Sequence, residues 1–223
     1  MHRYMIRYSK KGPARYTAHL DLMRELERSM RRAHLPVAFS EGFNPHLKLS
    51  IAAPLPVGTE GLAELAEVEM TRPVEPDQMA ESLNAVLPPG LKVWEVAEIS
   101  STNPALMAAL DQAAYIVQLD GEDLPVPLPD AAIEEFLARE CVEVRRRGKD
   151  GKEKVRDIRP GIIKIEVLPG DDGLGLRMEL KTGSVMNVRP AEAVTALLEH
   201  AGIKVDSADL QITRTGLFLA NKK

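Results

Sequence analysis

Between residues 16 and 50 the chain reads YTAHLDLMRELERSMRRAHLPVAFSEGFNPHLKLS, and this stretch limits the fold more than any other. Leu22, Met23, Leu26, Met30 and Ala33 recur at helical spacing. An amphipathic helix with one buried stripe therefore runs from about Thr17, a candidate N-cap, to Ala33. Pro36 stops it, because the residue before a proline is pushed out of the helical region. Past the connection Gly42-Phe43-Asn44-Pro45-His46, the aliphatic Leu47, Leu49 and Ile51 alternate with His46, Lys48 and Ser50. Successive strand side chains point to opposite faces, so this pattern buries the aliphatic set and presents His46, Lys48 and Ser50 together. A one-sided helix followed at once by a half-buried strand calls for helices layered on one face of a sheet.

The flanking patterns complete that arrangement. Tyr4, Ile6 and Tyr8 alternate in a strand over residues 2–8, and Val68 and Met70 alternate with Glu67 and Glu69 in another over 62–70. Pro76 to Leu87 reads as a helix stopped by Pro88-Pro89-Gly90, and Leu91 to Ile99 as a strand. The order is β-α-β-β-α-β, and it recurs. A short helical linker opens at Asn103-Pro104 and runs through Leu110, followed by a strand at Ala114–Leu119 and a helix at Asp130–Arg139. Cys141–Arg147 and Lys154–Leu168 read as two long strands joined by the turn Gly148-Lys149-Asp150-Gly151. Leu174–Lys181 then pairs through Gly170–Gly173, and Pro190–Ala201 is a helix with Gly202 at its C′ position. Leu210–Leu219 closes the pattern before the charged tail Asn221-Lys222-Lys223. The predicted class is α+β, with two tandem ferredoxin-like (βαββαβ) domains, each an antiparallel sheet with helices on one face. The predicted domains are 1–102 and 103–223, the second carrying a basic hairpin.

A length of 223 residues suits two such domains. No window approaches the ~20 apolar residues that span a bilayer, so no membrane association is expected. The opening MHRYMIRYSKKG has no apolar run of the secretory type, and a cytoplasmic, bacterial-type protein is the expectation. The single Cys141 excludes an intrachain disulfide and any all-cysteine metal cluster. There is no phosphate-cradling glycine loop, no dinucleotide glycine pattern and no histidine pair at metal-ligating helical spacing. Neither a cofactor nor a metal is expected.

Charge is distributed unevenly behind a net value of −4. Residues 1–50 carry Arg3, Arg7, Lys10, Lys11, Arg15, Arg24, Arg28, Arg31, Arg32 and Lys48 against Asp21, Glu25, Glu27 and Glu41. A second basic cluster spans Arg145–Arg159. Some arginines have acidic neighbours three or four residues away, which describes a solvated helix face. The set as a whole exceeds those local partners, which suits a phosphate backbone. The candidate nucleic-acid-binding residues are Arg7, Lys10, Lys11, Arg15, Arg24, Arg28, Arg32, Asn44, His46 and Lys48. Tyr4, Tyr8, Tyr16, Phe39 and Phe43 are the aromatics available here for base stacking. His19 flanks the helix's buried stripe, and reads either as a hydrogen-bonded structural histidine or as a proton-shuttling group. His46 reads either as part of a solvated sheet face or as a binding residue. No catalytic constellation is evident, and His19, His46 and Lys48 are the candidates for acid, base or charge stabilisation if one exists. His34, at the helix C-terminal end, is explained by the helix dipole.

The elements RYSK-x-G, HLDLMR, RRA-x-LP, SEGFNPH and LPVG stand here in that order. In them the chain closely resembles the radical-SAM-linked protein family, a bacterial domain found alone or fused behind a radical S-adenosylmethionine enzyme. The resemblance implies an accessory partner of such an enzyme, in RNA modification or processing. The CxxxCxxC motif of the radical enzymes themselves is not present in the sequence. The predicted architecture is also similar to the RAMP-type endoribonucleases, which cleave RNA without metal through histidine and lysine. Their C-terminal glycine-rich loop has no counterpart in Thr213-Arg214-Thr215-Gly216-Leu217, which speaks against cleavage and leaves RNA binding open. The leading expectation is a non-catalytic RNA-binding or substrate-presenting module. A metal-independent ribonuclease and a protein–protein interaction domain are the alternatives.

Overall fold

A computed structural model describes residues 1–120, 128–148, 151–168 and 173–220, and in it the chain is α+β with a mostly antiparallel sheet. It divides into two compact units, one formed by Met1–Leu110 with the residues from Arg214 onward, the other by Asp111–Thr213.

The first unit begins with β1 (His2–Lys10), whose alternate residues Tyr4, Ile6, Tyr8 and Lys10 are buried. The helix α1 (His19–Arg32) lays Leu22, Leu26 and Met30 against that face, as its spacing predicts. Thr17 does not cap it. The N-cap is Ala18, without a side-chain bond, and the Thr17 carbonyl instead accepts from Lys10 Nζ at 2.9 Å. At the other end His34 N–H donates to Arg31 O and Leu35 N–H to Met30 O, a Schellman closure with His34 at φ 52°. The helix is thus ended by a residue in the left-handed region one step before the chain reaches Leu35-Pro36.

Next come β2 (Leu49–Ile51), β3 (Glu60–Met70), α2 (Pro76–Asn84), β4 (Leu91–Ile99) and the short α3 (Leu106–Ala109). The strand expected from Leu47 is shorter, because Leu47 makes only an isolated bridge to Phe39. Its alternation holds even so: Leu47, Leu49 and Ile51 are buried, Lys48 and Ser50 half-buried, and His46 exposed. Strand β1 pairs antiparallel with β3 and β4, and β2 pairs antiparallel with β3. The final strand β10 (Gln211–Leu219) is hydrogen-bonded beside β3, and its part from Arg214 onward belongs to this unit.

The chain therefore partitions differently from the expected break at 102/103. Arg3 explains why residues 100–106 stay with the first unit. Its guanidinium pairs with Glu67 at 2.6 Å and donates to the carbonyls of Ser100, Ser101 and Asn103, while Leu106 N–H donates to the same Glu67 carboxylate.

In the second unit β5 (Leu110–Asp120), β9 (Gly173–Lys181) and β8 (Ile162–Leu168) form antiparallel pairs in the order β5-β9-β8. Helices α4 (Asp130–Ala138) and α5 (Pro190–His200) bury Ile133 and Phe136, and Ala193, Val194, Leu197 and Leu198. Gly202 at φ 75° closes α5 with the same pair of bonds that His34 makes after α1. The long strand expected at Lys154–Leu168 is two. Strand β7 (Glu153–Asp157) pairs with β6 (Glu143–Arg147) in a separate two-stranded sheet, and a 3-10 turn at Arg159–Gly161 precedes β8. Pro160 removes a ladder donor there, and Asp157 Oδ1 draws Val142 N–H and Arg159 N–H onto itself at 2.8 and 2.9 Å. The predicted turn residues Lys149 and Asp150, most of Gly170–Gly173 and the tail Asn221–Lys223 lie outside the described residues.

Two predictions follow from this geometry. A left-handed non-glycine residue costs about 1–2 kcal/mol, partly offset by the freedom glycine has when unfolded. His34→Gly should therefore raise stability by about 0.5–1 kcal/mol in urea unfolding, and Gly202→Ala should lower it by about 1 kcal/mol; unchanged midpoints would contradict the reading. The backbone N–H groups of Val142 and Arg159 hold the Asp157 carboxyl below the usual carboxylate range. Its contribution is then full above the unfolded-state value of about 3.9 and disappears as pH falls through the folded one. Asp157→Asn should be less stable than the parent at pH 7, and the two should converge in strong acid.

Candidate functional site

The segment 39–48 joins α1's exit to β2 and displays most of the groups singled out from the sequence. It is closed by two bonds across its neck, Ser40 N–H to His46 O at 2.8 Å and His46 N–H to Ser40 Oγ at 2.9 Å. Gly42 takes φ 119°, a conformation that side-chain-bearing residues rarely adopt. The loop so formed leaves Phe43 fully exposed, with Asn44, Pro45 and His46 exposed beside it in the chain. Phe39 is 41% exposed, and the Arg31 guanidinium lies 5.7 Å over its ring. Lys48 is less available, because its Nζ donates to Glu69 Oε2 at 2.9 Å. His19, His46 and Lys48 share no hydrogen bond. Among the described residues, His19 Nδ1 is buried without a partner.

The basic groups differ in how much of their charge remains free. Arg24 and Arg28 project from α1 with side chains 67% and 69% exposed, near Asp21 at 3.3 Å and Glu25 at 4.0 Å. Arg32 is held more tightly, by Glu25 at 2.6 Å, Ser29 Oγ and the Val86 carbonyl. Arg7 pairs with Glu95 at 2.7 Å and lies over Trp94. Arg15 lies over Tyr16 and 3.9 Å from Glu60. Lys11 is exposed and, among the described residues, has no acid within 4.0 Å. The apparent excess of cations over partners is thus largely balanced by Glu60, Glu67, Glu69 and Glu95, which sequence distance had hidden. Lys10 is a correction. Expected on the binding surface, it is 1% exposed, its ammonium spent on the carbonyls of Arg15 and Thr17.

Lys10 belongs to a buried polar cluster that sequence reasoning missed. Tyr8 and Glu64 face each other across β1 and β3 and are each 1% exposed. Arg214, 3% exposed, donates Nε to Glu64 Oε1 at 2.8 Å, grips Oε2 with Nη2, and also reaches the Ala53 carbonyl at 2.7 Å. A Cβ on Gly61 would lie 2.6 Å from Glu64 Oε1, so only glycine leaves room for that carboxylate. Burial, reinforced by the Glu64 charge, pushes the Tyr8 hydroxyl far up and keeps it protonated. Burial lowers Lys10, with Glu64 acting against it. The available signals were a glutamate on the inward register of GLAELAEVEM and an arginine inside a closing apolar strand. Among the described residues no group of three His, Cys, Asp or Glu side chains could hold a metal ion. Among them, too, no helix is long and apolar enough to cross a membrane.

These features define a two-unit α+β protein with a polar core cluster and an aromatic, basic loop surface. The chain belongs to a family described as an uncharacterized protein conserved in bacteria (DUF2344), which it matches over residues 3–190. No curated protein matches it. Among solved structures it is similar to a Cbf5-Nop10-Gar1 complex at 11% identity and a TM-score of 0.49, covering 96% of this chain and 48% of that one. It is similar to an archaeal box H/ACA sRNP Nop10-Cbf5 complex at 12% identity and 0.44, covering 95% and 46%. An unknown protein from Galdieria sulphuraria matches at 12% identity and 0.29, covering 99% of each chain. The chain spans about half the length of the first two, at 48% and 46%.

Removing one member of a buried ion pair leaves an uncompensated charge, typically at 3–5 kcal/mol, whereas replacing both by apolar groups costs far less. Glu64→Leu and Arg214→Met should each lower stability by about 3–5 kcal/mol, and the double variant by clearly less than the sum. Additive losses in a denaturant-unfolding cycle would show that the two groups are not coupled.

Proposed function

We propose that this chain is a non-catalytic RNA-binding module that presents its substrate to a radical S-adenosylmethionine enzyme in RNA modification or processing, in the cytoplasm. The observation that carries the RNA reading is the loop surface around residues 39–46. There a fully exposed Phe43 and the Arg31–Phe39 stack adjoin exposed Asn44 and His46. Single-stranded RNA is recognised by stacking unpaired bases on aromatic and guanidinium planes, with side-chain amides and imidazoles reading their edges. Arg24 and Arg28 support the same reading. Exposed ion pairs are worth under about 1 kcal/mol, so phosphate oxygens can replace Asp21 and Glu25 at little cost. Arg7, Arg15 and Arg32 belong to the outer part of this surface, with Lys11 and Lys48.

The partner half of the proposal rests on the signature elements RYSK-x-G, HLDLMR, RRA-x-LP, SEGFNPH and LPVG. Tandem ferredoxin-like architecture is part of the same reading. The first unit supports it with antiparallel strands in the order β4-β1-β3 and β2 beside β3, under two helices. The second supports it with β5-β9-β8 and two helices, the hairpin β6–β7 standing as an insertion. One observation favours a ribonuclease instead: the unpartnered Nδ1 of His19 is a spare proton-accepting or -donating atom near the start of α1.

Filter binding of single-stranded RNA over a salt series tests the proposal. The parent should bind tighter than the non-specific range of about 10⁻⁴–10⁻⁶ M, and Phe43→Ala and Arg28→Glu should each weaken it about tenfold. Binding at the non-specific level, or variants equal to the parent, would sink it. Discrete products formed in chelator and lost in His19→Ala or His46→Ala would replace it with the ribonuclease reading.

A further inference from the structure

Among the described residues, most cations of the first unit have an acid within 4.0 Å; Lys10, Arg31 and Arg72 do not, and neither do Lys11 and Lys92. These two exposed lysines, 81 positions apart by number (92 less 11), line one groove. Its remaining walls are Ser9, Asn84, Gly90 and Leu91, and its volume is about 480 Å³. That size falls within the usual range of small-molecule sites, roughly 300–1,000 Å³.

The frame of the groove is fixed by the backbone. Ser9 and Lys92 are direct cross-strand partners in the β1–β4 ladder. Lys11 N–H donates to the Gly90 carbonyl at 2.8 Å. Gly90 takes φ 91°, and a Cβ there would meet Lys11 O at 2.5 Å and Ala14 Cβ at 2.8 Å, so the two segments lie closer than any other residue allows. Asn84 clamps the far side, its amide donating to Val93 O at 2.6 Å and accepting from Val93 N–H at 2.9 Å. The Glu60 carboxylate is engaged elsewhere, accepting from Gly12 N–H at 2.8 Å and lying 3.9 Å from Arg15.

Two ammonium groups without acid partners, a hydroxyl and a short apolar wall make an anion-selective site. We infer that this groove is a phosphate subsite, taking the phosphate monoester of a nucleotide or of an RNA 5′ end. It shares no lining residue with the 39–46 loop; Lys11 is also counted in the outer part of the proposed RNA surface, but the nucleotide arm of the test does not depend on that reading. A free nucleotide would occupy it with the phosphate between Lys11 and Lys92 and the Ser9 hydroxyl donating to an oxygen. If the chain binds RNA, the same contacts would anchor a terminal phosphate.

Amide chemical shifts of the full chain, titrated with adenosine 5′-monophosphate and with adenosine, test this. The monophosphate should move the Ser9, Lys11 and Lys92 amides saturably, and adenosine should not. Lys11→Glu/Lys92→Glu exchanges two exposed side chains and should keep the fold, which its spectrum reports directly, while weakening the effect at least tenfold. Equal shifts from adenosine, no shift at these amides, or an undiminished response in the double variant would overturn the inference. A parallel titration with 5′-phosphorylated and 5′-hydroxyl oligoribonucleotides separates the sources. Tighter binding of the phosphorylated form that the double variant loses assigns the groove to RNA ends. A monophosphate response with no oligonucleotide binding assigns it to free nucleotides, and would count against the RNA reading while leaving the subsite in place.

Discussion

The ion pair between Glu64 and Arg214 joins residues 150 positions apart and is almost wholly buried. Taking both charges out of water is expensive, and their attraction offsets this only where geometry is good and the remaining polar atoms are satisfied. Here the guanidinium meets the carboxylate with two nitrogens and also holds the Ala53 carbonyl. The same requirement reaches outward. Gly61 must lack a side chain, Tyr8 must sit opposite Glu64 as a neutral phenol, and Lys10 must turn inward to the carbonyls before α1. Through Arg214, buried in this cluster, the residues from 214 onward belong to the first unit and not to the segment that precedes them.

A second layer of electrostatics shapes the surface. The acids of β3 and β4 meet the basic residues of β1 and the segments after it, so Arg3, Arg7 and Lys48 face Glu67, Glu95 and Glu69. What stays free is more selective than the raw charge count suggests. Among the described residues of the first unit it includes the exposed aromatic loop with its stacked arginine, the weakly paired arginines on the outer face of α1, and the two lysines of the β1–β4 groove. Each is a place where the group faces water or a loose ion pair and not a buried partner.

Most of the element order was legible because apolar periodicity reports burial directly. The stripe Leu22, Leu26 and Met30, the alternation of Tyr4, Ile6 and Tyr8, and the stop at Gly202 all follow from local rules. The misreadings came where local and tertiary bonding compete. Ala18 and not Thr17 stands at the N-cap of α1, and Pro160 with the Asp157 carboxylate broke a strand that side-chain alternation alone left continuous. Lys10 continues the buried register of Tyr4, Ile6 and Tyr8 at the end of β1, whereas Lys11 falls just beyond the strand, which separates a core cation from a surface one.

By itself the sequence determined the α+β class, the succession of helices and strands in the first unit, and the loop that displays Phe43, Asn44 and His46. These depend on spacing, turn residues and proline, which act over a few positions. The tertiary structure alone decided which charges are neutralised, where the unit boundaries fall, and that Lys11 and Lys92 share a groove. Ion pairing and strand register act between residues tens to hundreds of positions apart, and no local pattern carries that information.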